Sequence, residues 1–509
     1  MENMVKPDEH YAGRASLLSR DTTLLILVAL GTVLIHLLTG SRYGFHRDEL
    51  QTLDDARHMA WGFVTYPPVT PFFARLSLEL FETSLTGFRI FAFLAEATAV
   101  VLTGLMAREF GGGRGAQLLA ATAAVPFSLA GGVVMQYVSF DYLCWVLTAY
   151  FVIRLLRSAE ARWWLAVGLA IGLGMMTKYS MVFLVAGIVV GAVVAPAHRH
   201  LKSKWLWAGV ALSLLIFLPN FIWQVKHGFI SLDFLEHIHA RDIRIGRTKN
   251  FLPDQLGMTL LAFPLVVAGL WFCFFRAGKR FRMVGWMYIV PLLLFVVAKG
   301  RGYYLAAAYP MLYAAGSVWG EQWARSLRRA WARTAWTLAW SGLTVNILFV
   351  GAFLLPLAPI NSNWWKSAVK IQGDFREEIG WPELVETVAR VRDSLPSQDL
   401  SRLGILAGNY GEAGAINLYG PRYRLPAAIS GINSFWLRGY GNPPPETLIV
   451  VGIRRSFLEE NFSSCQLVAH TWNRWGVKNE ETQDHPDIFI CRGLRRSWPE
   501  FWKDFHYYG

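Results

Sequence analysis

The chain has 509 residues, of which 54% are hydrophobic and only 17% charged, against about a quarter charged in ordinary soluble domains; a soluble globular protein is excluded and a membrane protein indicated. Its 49 Lys and Arg against 36 Asp and Glu leave a net charge of +13, but much of that excess falls in short loops between apolar segments, where it reports topology, and nucleic acid is discounted as a partner. Four cysteines are too few for a disulfide scaffold.

Allowing about 20 apolar residues per crossing, and fewer where Gly or Pro interrupts, the chain is expected to cross the membrane about eleven times. The spans fall near 23–40, 86–107, 116–133, 140–156, 163–177, 181–197, 205–223, 255–275, 283–298, 303–320 and 334–356. The first run lacks a small-residue cleavage pattern and reads as a retained span, not as a signal peptide. One set of connections is basic, with Arg108 and Arg114, then Arg154, Arg157 and Arg162, then Arg199, Lys202 and Lys204, then Arg276, Lys279, Arg280 and Arg282, and finally Arg325, Arg328, Arg329 and Arg333. The opposite set holds "GVVMQYVSF" with no charge, the single Lys178, and Lys299 with Arg301. By the positive-inside rule the N-terminus is cytoplasmic, and an odd number of spans places the C-terminus outside a bacterial inner membrane.

Between the spans lie two longer outer loops, 41–85 and 224–254, and the "YPPVTP" of the first predicts short interfacial helices, because its prolines break any continuous one. Residues 1–359 form the transmembrane unit, and 360–509 read as a small α/β periplasmic domain: a helical "WPELVETVARVRDSL" is followed by strand-like "RLGILAG", "TLIVVGI", "CQLVAHT" and "DIFICRG". Cys144 and Cys273 sit in apolar runs, whereas Cys465 and Cys491 would be able to pair if this domain faces an oxidising compartment. The fold class is therefore mainly α, polytopic in the membrane, with a C-terminal α/β domain.

The stretch "YGFHRDELQTLDD" brings Asp48, Glu49, Asp54 and Asp55 to the outer face directly after the first span. A solvated loop balanced by Arg42, Arg47 and Arg57 would account for them as well as a reactive site would. Other outer-rim groups tip the balance. Asp141 opens the fourth span, Lys178 caps the fifth, and Lys299 and Arg301 flank a glycine before "YYLAAAYP". Each cation taken alone reads as snorkelling, but three on the side that normally lacks them call for an anion, and a lipid-linked phosphate supplies one. Carboxylates and cations together define a reaction in which an acceptor hydroxyl, deprotonated by a carboxylate, attacks the anomeric carbon of a lipid-phosphate sugar while cations stabilise the leaving phosphate. A glycosidase-type acid and base pair fits less well, because a phosphate leaving group needs charge neutralisation more than protonation.

Three segments carry a resemblance: "FHRDEL", "GLGMMTKYS" and "KGRGYYLAAAYP", with "GNYGEAGAINLYGP" in the outer domain. Through them the chain resembles the polyprenyl-phosphate-sugar-dependent glycosyltransferases of the GT-C fold, in the branch of protein O-mannosyltransferases and aminoarabinose lipid A transferases. The resemblance implies Asp48 as acceptor-activating base with Glu49 beside it, Asp141 as a second acid, and Lys178, Lys299, Arg301 and Tyr304 holding the donor phosphate, supported by His46, Tyr179 and Tyr303. It implies a polyprenyl-phosphate-linked donor and an acceptor lipid, glycan or protein.

His46 with His237 and His239 of "LEHIHA" leaves a divalent metal open as cofactor, beside the plainer reading of surface or phosphate-contacting histidines. Mid-span Glu96 reads as a neutral or partnered structural group. "GNYGEAG" has the spacing of a phosphate loop, but a turn packing the outer domain fits better, bearing on acceptor binding with Trp436 and Tyr440. A transporter or lipid flippase is the alternative; it would place polar groups through the depth of the bilayer, whereas here they gather at one face. A ligand sensor is a third reading, for which so many spans are excessive.

Overall fold

The computed structural model describes residues 20–194, 202–277 and 280–509; Arg199, Lys279 and the end of the span expected at 181–197 lie outside them. Among the described residues, each apolar segment read from the sequence is helical over most of its length. In chain order the elements are α1 (Arg20–Thr39), α2 (Arg47–Arg57), α3 (Val69–Phe81), α4 (Leu85–Glu109), α5 (Arg114–Gly131), α6 (Tyr137–Ser158), α7 (Trp163–Met175) and α8 (Met181–Val194). They continue as α9 (Lys204–Lys226), α10 (Ile230–Arg244), α11 (Phe251–Thr259), α12 (Phe263–Trp271), α13 (Arg282–Val297), α14 (Tyr309–Ser326) and α15 (Arg329–Leu354). Among the described residues six helices are long and apolar enough to cross a membrane, α11 and α12 counting as one through a short 3-10 step. The span expected at 303–320 begins instead as a 3-10 turn, Gly302–Ala308, before α14.

Small residues let the bundle close. A Cβ on Gly168 of α7 would lie 2.1 Å from the Gly209 carbonyl of α9, so the two backbones touch only because both positions are glycine. The main bundle core gathers buried side chains of α4, α5, α6, α8, α13 and α14.

Outside the bundle, α16 (Asn363–Ile371), α17 (Trp381–Asp393), α18 (Ser397–Leu400) and α19 (Tyr410–Tyr419) accompany a mixed five-stranded sheet of order β2-β1-β3-β5-β4. Its strands are β1 (Leu403–Ala407), β2 (Ala428–Ile429), β3 (Thr447–Val451), β4 (Phe462–His470) and β5 (Asp487–Leu494). β1 pairs in parallel with β2 and β3, while β5 runs antiparallel to β3 and β4. The continuous apolar runs of β1 and β3 are those of strands covered on both faces, and nearly all their residues are buried. Cys465 and Cys491, opposed in the β4–β5 register, form a disulfide.

The two outer loops are both largely helical, and one of their helices departs from expectation. The loop 224–254 is largely helical, as α10. α2, expected at the membrane interface, is enclosed instead: eight of its eleven residues are buried, polar ones included. A second apolar core joins Leu50, Leu53 and Ala56 of α2 to α4, α17, α19 and the sheet, so the outer domain clamps the helix that carries the acidic stretch. Gly414 makes this possible, since a Cβ there would meet the Leu50 carbonyl at 2.6 Å.

Candidate functional site

The four acids after the first span have separate fates, and the cause is helical phase plus partners. His46 caps α2, accepting the Asp48 amide on its side chain while its own backbone N–H donates to Glu49 Oε2 at 2.9 Å. Adjacent positions on a helix point about 100° apart. Glu49 turns inward and is fully buried, accepting Arg89 Nε at 2.7 Å and Arg89 Nη2 at 2.6 Å, with the Met135 amide at 2.7 Å. Glu378 completes the pair from 3.5 Å. Asp54 and Asp55 are buried against Arg438, with Tyr66 donating to Asp55 at 2.8 Å and Asn417 to Asp54 at 2.7 Å. Only Asp48 keeps an open face, 42% of its side chain being exposed.

Asp48 faces a cavity of about 570 Å³ lined from α2, the start of α6, the 176–180 turn, α10, the 298–304 turn and the outer domain. Two neutral donors orient it: Gln136 Nε2 at 2.7 Å and the Tyr410 hydroxyl at 2.9 Å. Burial, with the Asp48 charge beside it, holds the Tyr410 hydroxyl well above its ordinary pKa, so it remains a donor at neutral pH. Tyr410 stands in the first turn of α19, whose capping box Asn409–Glu412 fixes the helix start. The same box settles the "GNYGEAG" question, because Glu412 Oε2 takes the Gly408 and Asn409 amides at 3.0 Å each and leaves them no phosphate to bind.

Lys178, Lys299, Arg301, Tyr304 and Tyr179 line the same cavity. Lys178 Nζ stands 4.1 Å from the Tyr304 ring centre, 4.8 Å from that of Tyr137 and 5.3 Å from that of Tyr303, a cage of π faces. Burial pushes its pKa down to about 8, opposed by the Asp141 carboxylate and reinforced by Arg301. Arg301 donates Nε to Asp242 of α10 at 2.5 Å. Lys299 is exposed to the cavity from a left-handed backbone conformation, φ +50°, which is unusual for a non-glycine residue.

Several expected residues lie elsewhere. Glu49 does not reach the cavity, for the reason given. Asp141 is buried beneath it, accepting Ser180 Oγ at 3.3 Å, and acts on Lys178 by charge. His46 is buried as a cap, and Tyr303 reaches the cavity region through Lys178 and through Tyr137, whose hydroxyl is 3.5 Å from its own. His239 lines the cavity while His237 packs at 5.6 Å from Tyr508. Among the described residues no group of three or more His, Cys, Asp or Glu side chains gathers as a metal site. Trp436 stacks on His506 and Tyr440 on Trp498, within the outer domain and away from the main cavity. Glu96 is buried in the bundle apart from it. Gln136, Asp242 and Asn433 carry no motif that would have singled them out, and Tyr410 lies in the "GNYGEAG" stretch, whose pattern gives no sign that it meets Asp48.

Comparison with known proteins gives the geometry a context. Residues 65–223 match the family model described as dolichyl-phosphate-mannose-protein mannosyltransferase. Over 359 residues the chain is 24% identical to the lipid A galacturonosyltransferase RgtD of Rhizobium johnstonii, an alignment covering 66% of this chain and 71% of that one. It is 30% identical over 227 residues to the undecaprenyl phosphate-alpha-4-amino-4-deoxy-L-arabinose arabinosyl transferase 1 of Sodalis glossinidius, covering 40% and 39% of the two. The crystal structure of ArnT from Cupriavidus metallidurans bound to undecaprenyl phosphate superposes with a TM-score of 0.58 at 15% identity, over 92% of this chain and 98% of that one. The GT-C resemblance read from the sequence stands, in fold and in relatives alike.

Proposed function

We propose that this chain, a multi-pass membrane protein with the fold and the relatives of GT-C glycosyltransferases, moves a sugar from a polyprenyl-phosphate carrier to an acceptor hydroxyl or phosphate with inversion at the anomeric carbon. The observation that carries this reading is that Asp48 and the cations Lys178, Lys299 and Arg301, far apart in sequence, line one cavity. Asp48, held by Gln136 and Tyr410, accepts the proton of the acceptor as its oxygen attacks the anomeric carbon. The bond from that carbon to the phosphate oxygen breaks, and the polyprenyl phosphate leaves with its charge met by the three cations. Asp141 positions Lys178 from below. The reading assigns phosphate neutralisation to side chains; turnover lost on chelation and restored by a divalent ion would add a metal to that set.

The orientation belongs to the same proposal: inner membrane, N-terminus in the cytoplasm, cavity and sheet domain outside. The Cys465–Cys491 disulfide supports it, since such bonds persist in oxidising compartments. Transfer from radiolabelled undecaprenyl-phosphate sugars tests the chemistry. Asp48→Asn is expected to lose about 10²–10⁴-fold in turnover with donor binding kept, and Lys178→Ala to weaken donor binding. Full activity in Asp48→Asn removes the base.

A further inference from the structure

α16 (Asn363–Ile371), the first helix after the last span, keeps a face that the rest of the fold leaves open. Its inner face is Trp365, Ala368 and Val369, buried with Phe375, Ile379 and Val477 of the outer domain and packed against Phe353 of α15. Its other six positions are exposed, among them Trp364 at 41% and Ile371 at 50%, large apolar side chains that gain by leaving water.

Position decides what meets that face. At one end Trp364 Nε1 donates to the Ala352 carbonyl at 2.7 Å. Ala352 stands in the last turn of α15, a largely exposed helix long and apolar enough to cross a membrane. At the other end Phe375, four residues past α16, meets the Tyr43 ring at 5.3 Å, and Tyr43 follows the first span, α1, by four residues. α16 therefore runs from the end of one span to the end of another, along the rim of the bundle on the cavity side.

Helical phase sorts the exposed side chains. Trp364 and Ile371 are seven positions apart, about 20° from alignment, and share the flank that reaches down to Ala352. Lys366 and Lys370, four apart, form a second exposed flank about 130° round the helix. Residues 361–372 hold these two cations and no acid. An apolar flank beside a cationic one, on a helix at the rim, is the arrangement of a segment lying in a bilayer surface. Two apolar side chains also offer far less than the about 800 Å² per partner that a stable protein interface buries.

We propose that α16 is a docking surface for the membrane itself. Trp364 and Ile371 enter the lipid surface on the cavity side, while Lys366 and Lys370 extend to the head groups and favour anionic ones such as phosphatidylglycerol. The contact fixes the outer domain to the bilayer where the last span hands over to it.

The test places a bimane fluorophore on Ile371→Cys of the full chain in lipid vesicles, with Ser401→Cys, exposed in the outer domain, as the water reference. Cys144 and Cys273 are buried and Cys465 and Cys491 are bonded, so the introduced thiol is the one labelled. Brominated phospholipids quench a fluorophore that touches lipid, and iodide quenches one that touches water. At 371 the lipids are expected to quench and iodide not, with the reverse at 401. Brominated phosphatidylglycerol is expected to quench at 371 about threefold or more above brominated phosphatidylcholine at equal lipid fraction, and Lys366→Gln with Lys370→Gln to abolish that preference. Iodide quenching at 371 as strong as at 401 overturns the proposal, and so does protection from both quenchers, which would put a protein on this face. Equal quenching by the two lipids, or a preference that survives both glutamines, overturns the assignment of the lysines to anionic head groups.

Discussion

Replacing Glu49 with alanine separates the two adjacent acids of α2 by the work they do. Glu49 and Arg89 are both fully buried, and without Glu49 the guanidinium keeps Glu378 at 3.5 Å as its remaining carboxylate. The backbone amides of Met135 and His46 lose their acceptor in the same step. Removing one partner of a buried pair costs about 3–5 kcal/mol, and an orphaned buried donor on the order of 1–3 kcal/mol. These terms share atoms and do not simply add, so a loss of about 4 kcal/mol is expected. Asp48, with 42% of its side chain exposed, has no such burden, and Asp48→Asn should stay within about 1 kcal/mol of the wild type. Denaturant unfolding of the purified chain, followed by tryptophan fluorescence beside a transfer assay, reads both quantities. The expected pattern is crossed: Glu49→Ala unstable, Asp48→Asn stable and inactive. A Glu49→Ala protein that unfolds at the wild-type midpoint and yet transfers nothing would refute the reasoning and make Glu49 a reacting group.

Lys178, pushed down to about 8 by burial, is charged below that value and neutral above it, so affinity for undecaprenyl phosphate should be level between about pH 7, where the phosphate is still mostly dianionic, and pH 8, and fall by up to about tenfold per pH unit beyond it; binding isotherms across pH check this, and Lys178→Arg should flatten the fall. Arg438→Ala leaves Asp54 and Asp55 buried without their cation and should cost about 3–5 kcal/mol in the same unfolding measurement. Reducing the Cys465–Cys491 bond, which spans 26 residues, should lower the stability of the outer domain by about 3 kcal/mol, read as a shift of its unfolding midpoint with and without reductant. Cysteine introduced at the exposed Ser401 should react with an impermeant maleimide added from outside intact spheroplasts; labelling only after lysis would reverse the orientation.

Much of the membrane half was legible because hydropathy and loop charge are local signals. Apolar length marks the helices, and isolated Lys178, Lys299 and Arg301 stand out on a side that is otherwise poor in cations. The acidic stretch was legible as a location but not as a division of labour. Which of Asp48 and Glu49 faces the cavity depends on Arg89, 40 residues on, and no helical period announces that partner. Tyr410 is separated from Asp48 by 362 residues and Asn433 from Gln51 by 382, so both contacts exist only through the packing of α19 and its neighbours onto α2. The expected interfacial placement of α2 failed for a related reason. The prolines of "YPPVTP" foretell short helices but not what covers them, and the acids of α2 are satisfied one by one by Arg89, Arg438, Tyr66 and Asn417.

The clamp on α2 bears on how the protein is made. A ribosome releases Lys178, Lys299 and Arg301 into the membrane well before Tyr410 and Asn433 exist. A nascent chain at that stage holds Gln136 but not Tyr410, so only one of the two donors that orient Asp48 is in place. The setting of Asp48, an acid near the start of the chain, is thus completed only by its last hundred or so residues.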